Sequence, residues 1–220
     1  MTDSEIIVRP VTSRADREAF FALPAALFSD DPVWVPPLQM MMRDQLNPKK
    51  NPWFTHGEAQ LFLAERRGAV LGRISAQVDH SHLEHHKDGT GFFGFFDSVN
   101  EQPVADALFA AASAWLKDKG LTRVRGPFNL NINEESGLLV EGFESPPRVA
   151  MTHALPYYQT LVETAGFEKV RDLLAFLTPM DTALPLKHMK ILQRSIDRNP
   201  GLTFRHLDPK NYDQDIRILV

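Results

Sequence analysis

GTGFFGFFDSVNEQPVADALFAAASAWLKDKG, residues 89–120, reads as a covered strand, a short polar turn and an amphipathic helix, and the rest of the chain can be placed around it. Residues 90–96 are short, aromatic and without charge, as a strand buried on both faces requires. The bare Gly94 between two Phe pairs predicts a bulge or a close approach to the backbone. Residues 97–102 form a connector. From Pro103 onward Val104, Leu108, Ala111, Trp115 and Leu116 recur at helical spacing. Pro103 suits a first helical turn, and Gly120 suits the left-handed position after the last. A strand feeding a helix N-terminus presents backbone N–H groups where an anion can sit.

Working outward, residues 6–11 form a β-branched strand, and Thr12 or Ser13 caps a helix kinked by Pro24. Residues 29–54 hold five prolines beside Trp34, Val35, Leu38, Trp53 and Phe54. That mixture predicts a packed, irregular cover with a short helix at 38–46. Residues 59–65 and 69–78 read as a hairpin turned at Arg66-Arg67-Gly68. The following His80, His82, His85 and His86 read as a solvated polar loop rather than a metal site. Residues 121–124 are a further strand, and 126–137 a turn-prone polar segment carrying Glu134 and Glu135. Residues 138–143 and 148–151 are candidate short strands, 156–166 a helix closed by Gly166, and 173–177 a last strand. Ser136 lacks the glycine-flanked elbow of a serine hydrolase.

A chain of 220 residues with 43% hydrophobic and 24% charged residues has the make-up of a globular protein. Twenty-four basic against 28 acidic residues, net −4, give no electrostatic case for nucleic acid or an anionic membrane. No cysteine means no disulfide, thiolate ligand or cysteine nucleophile. Without an apolar leader or a spanning run, a cytoplasmic location is expected.

The element order, the piece AVLGR at 69–73 and the junction LVETAGFE at 161–168 together resemble the GNAT (GCN5-related N-acetyltransferase) superfamily, whose junction is Leu-Tyr-Glu-x-x-Gly-Phe. The resemblance implies an α/β (α+β) fold with a mixed, mostly antiparallel twisted sheet flanked by helices. It also implies acetyl-CoA or another acyl-CoA as cosubstrate, with no metal. Phe96, Ser98 and Val99 would line the pantetheine, and Gln102, Val104, Ala105 and Ala107 would meet the pyrophosphate. Ala105 and Asp106 depart from the family's Gly-containing, uncharged loop. Val162 replaces the Tyr that protonates the thiolate, and Tyr158, one turn earlier, is the displaced counterpart. Asp97, Glu134 and Glu135 are the base candidates. The implied activity is N-acyl transfer to a small-molecule or peptide amine, with a strand N–H at Ser98 or Val99 polarising the carbonyl. The alternative is a non-catalytic binding domain that supports a partner domain.

The tail has its own pattern. A weak helix at 186–198 precedes LTFRHL at 202–207, which echoes IIVRPV at 6–11. This divides the chain into an acyltransferase-like domain 1–178, a linker 179–200, and a cut second domain from 201 to 220. Pairing with such a second domain, or as a homodimer, is expected.

Overall fold

The computed structural model describes residues 5–177, 186–201 and 205–219. The chain divides into two units, 1–173 and 174–220.

In the first unit, β1 (Ile7–Pro10), β2 (Gly57–Arg66), β3 (Ala69–Asp79), β4 (Thr90–Ser98) and β5 (Arg123–Arg125) lie side by side in chain order. All neighbours are antiparallel except β4 and β5, which run parallel. Helix α1 (Arg14–Leu27) starts at Ser13, which forms a capping box with Asp16. Helix α4 (Gln102–Asp118) follows β4 directly and buries Val104, Ala105, Leu108, Phe109, Ala112 and Leu116. Alternation along β2 divides the core between the two faces. Phe62 and Ala64 join α4's side, and Leu61 and Leu63 join Phe20 and Phe21 of α1.

The irregular cover is present: α2 (Gln39–Gln45) and a 3₁₀ turn at Pro52–Thr55 interrupt it, and Trp53 is buried. The histidine stretch is not a loop. His80–His86 form the short helix α3, because the Asp79 side chain accepts from the His82 amide and Lys87 closes the turn in the left-handed region. Its His82 pairs with Asp88 at 3.2 Å, and no cluster of three metal-ligating side chains exists among the described residues. Residues 138–143, 148–151 and 173–177 are not strands; among the described residues the one ladder element after β5 is an isolated bridge between Phe128 and Ser136. Helix α5 (Tyr158–Thr164) ends at Gly166, whose φ is +92°.

The second unit contains α6 (Leu186–Arg198) and α7 (Tyr212–Leu219), where Asp215 is buried and bonded by Arg205 at 2.7 Å. Of the proposed echo of β1, residues 202–204 lie outside the described residues. No helix among the described residues is long and apolar enough to cross a membrane.

Candidate functional site

The site is made by one irregularity in β4. Phe93 and Phe96 both pack on Phe109 of α4, whereas Phe95, between them, faces Phe20 of α1. Strict alternation from Phe93 would put Phe95 on α4's side. The extra residue appears as a register shift opposite Arg73 and Ser75, with Phe95 at φ +47°. Its effect is to turn Asp97 away from α4 and onto Arg73, at 2.7 Å. Gly94 is the residue that allows it. A Cβ there would lie 1.7 Å from the carbonyl oxygen of Phe128. That same oxygen accepts from Gln77, and the Phe128 amide donates to the Phe93 carbonyl.

The segment after β5 is thereby clamped over the bulge. Asn129 accepts from the Phe95 amide at 2.7 Å and donates to Glu135 at 2.8 Å, which brings Glu135 to the cavity wall. The cavity, about 780 Å³, has Arg73, Asp97, Glu134, Glu135, His153 and Tyr158 among its lining groups. Arg73 also donates to the Phe20 carbonyl and lies over the Phe20 ring, so its position is fixed from three sides.

Tyr158 is fully buried, donates to Asp97 at 3.0 Å and accepts from the Ser98 amide at 3.3 Å. Loss of water and the nearby Asp97 charge push its phenol well above the usual value, so it stays protonated. Tyr157 donates to the Ser98 carbonyl, and burial pushes it up to about 12. Glu135 keeps exposed surface at the cavity wall, but the walls displace enough bulk water to raise its carboxyl above the usual range. Arg73 and Asn129 oppose that rise.

Asp97, Glu134 and Tyr158 line one cavity, with Asp97 held by both Arg73 and Tyr158. Phe96 also lines this cavity. The other expected cofactor residues stand apart from it, at the start of α4. The Ser98 amide already holds the Tyr158 oxygen and the Val99 amide donates to Leu71. Val104 and Ala105 are fully buried and their amides return to the Glu101 carbonyl. Gln102 bonds Asp106 and the Leu161 carbonyl, and Ala107 carries no side chain to bind with. Arg66 is held by Glu101 at 2.6 Å.

His153 escaped the sequence reading. Its imidazole is 6% exposed and its Nε2 lies 2.7 Å from Asp31, which the turn after α1 presents. A lone His in an apolar run, THALPYY, carries no spacing signal. The partner is 122 residues away, and only the fold joins them.

No family model matches the chain. It is 43% identical to a bacterial ceramide synthase of Caulobacter vibrioides over 99% of its own length and 56% of the relative's. It is 38% identical to protein YghO of Escherichia coli over 97% of its length and 54% of that relative's. The chain spans about half the length of these curated relatives. A Clostridium acetobutylicum structure described as a predicted acetyltransferase with acetyl-CoA superposes with a TM-score of 0.50 at 10% identity, covering 79% of this chain and 96% of that one. Sheet order, the strand-to-helix step at β4–α4 and this likeness give the chain the GNAT fold.

Proposed function

We propose that the chain is the acceptor-side part of an acyl-CoA-dependent N-acyltransferase that forms an amide on a long-chain amine. The observation that carries this is the bulge-built cavity, with ionisable groups at its floor and apolar side chains at its rim. Val35, Leu38, Met40, Met41 and Val149 are exposed around it, Val149 at 93%. Exposed apolar side chains gathered at one opening suit an aliphatic chain. Glu134 and Glu135 give an incoming ammonium opposite charge, and Tyr158, protonated on the cavity wall, returns a proton to the leaving thiolate in this reading. The relative's name, ceramide synthase, agrees with such an acceptor, since a ceramide is the amide of a long-chain amino alcohol.

The test is turnover of sphinganine with palmitoyl-CoA, against a short amine of the same head group. Faster acylation of the long amine is the expected result. Equal rates for both would remove the role given to the rim.

A second reading is favoured by the start of α4. With Arg66 tied to Glu101 and the amides turned inward, this unit would bind the amine but not the donor, as a non-catalytic partner of another domain. Calorimetry with acetyl-CoA separates the two, because the second reading predicts no heat.

A further inference from the structure

His153 and Asp31 stand in the cavity wall without a role in the chemistry above. Asp31 is fixed by its turn: its Oδ1 accepts from the Val33 amide at 3.0 Å, leaving Oδ2 for His153 Nε2 at 2.7 Å. Burial alone would raise the Asp31 carboxyl, but the bonds from His153 and Val33 outweigh it and hold it below the usual range. An ionised Asp31 can only accept, so Nε2 is the ring nitrogen that donates to it. Nδ1 is buried and has no hydrogen-bond partner among the described residues. An unpartnered buried nitrogen is costly, and such groups need an explanation. Phe28 packs on both the His153 ring, at 5.7 Å, and the Tyr158 ring, at 6.3 Å, and His153 lines the same cavity as Asp97 and Glu135.

We propose that His153 is the base that takes the acceptor amine's proton, with Asp31 fixing its tautomer and stabilising the imidazolium. This rests on the N-acyltransferase reading. The amine nitrogen bonds to the thioester carbonyl carbon as one N–H proton passes to Nδ1. The C–S bond breaks with its electron pair leaving on sulfur. The thiolate takes a proton from Tyr158; after product release the imidazolium gives its proton to solvent and Tyr158 regains one from solvent, which closes the count. Amine plus thioester give amide plus thiol. Arg73, Asp97, Glu134, Glu135 and Arg148 are the other charged groups facing this space from the surrounding elements, with the Asp44–Lys50 pair at its edge. Nδ1 is closed to solvent, so the amine has to displace part of the wall around it to reach this nitrogen.

The experiment uses the purified protein with sphinganine and palmitoyl-CoA over a pH series, comparing wild type with H153Q, H153A and D31N. H153Q is expected to lower kcat/KM roughly 100-fold or more, the scale of a positioned base, and to abolish the acidic limb of the pH profile. KM for the amine should change little. Added imidazole should restore part of the H153A rate, which a merely structural tether would not allow. D31N should fall less than H153Q and keep the limb at a shifted pH. A wild-type profile in H153Q, or a loss tracking a lowered melting temperature without imidazole rescue, overturns the base while leaving acyl transfer standing. An inactive wild type overturns both.

Discussion

Glu135 is the cavity carboxylate whose environment most disfavours its charge. Burial raises it above its ordinary range, so over the window just above that range the folded protein binds more protons than the unfolded chain. Stability therefore declines as pH rises through that window. E135Q, which cannot ionise, is expected to flatten that decline in urea melts run at several pH values. Tyr158 behaves differently. Y158F leaves the Ser98 amide and one Asp97 oxygen without their partner, a loss of about 1–3 kcal/mol measurable by urea unfolding. At this scale the sequence was silent about pairing. Tyr158 and Asp97 were named through the resemblance, as the displaced counterpart of the family's Tyr and as a carboxylate near the expected cleft, and the bond between them is found only in the fold. Arg73 and His153 could not be named, since each acts through a contact 24 or 122 residues distant.

Among elements, β4 and α4 were the most legible, because an aromatic run and a 3.6-residue period are local signals. The helix at His80–His86 was not, because its cause is one Asp side chain at the first turn rather than a periodic face. The false strands at 138–143 and 148–151 came from short apolar runs, which are ambiguous without a partner strand. Two predictions belong here. S13A removes one arm of the capping box and should cost about 1 kcal/mol in a denaturant melt. E101Q frees Arg66 and removes a negative charge from the helix start. It should tighten acetyl-CoA binding by roughly two- to tenfold in calorimetry, and unchanged affinity would move the phosphate elsewhere.

On the N-acyltransferase reading, the acidic balance of the chain and the two glutamates at the cavity would act on the same ammonium charge. With net charge −4, kcat/KM for a cationic long-chain amine should fall as salt is raised, while binding of an uncharged alcohol of equal length should not. The sequence pattern changes near residue 178, whereas the contact division falls at 173–174 and depends on packing, which a linear pattern does not carry.

The Gly94–Phe128 approach has a practical consequence for anyone wishing to redirect substrate range. Met40, Met41 and Val149 point outward at the rim and can be randomised with little penalty to folding. Position 94 must stay glycine in every library member. A methyl group there collides with a carbonyl that also holds Gln77, so variation would dismantle the wall it was meant to reshape.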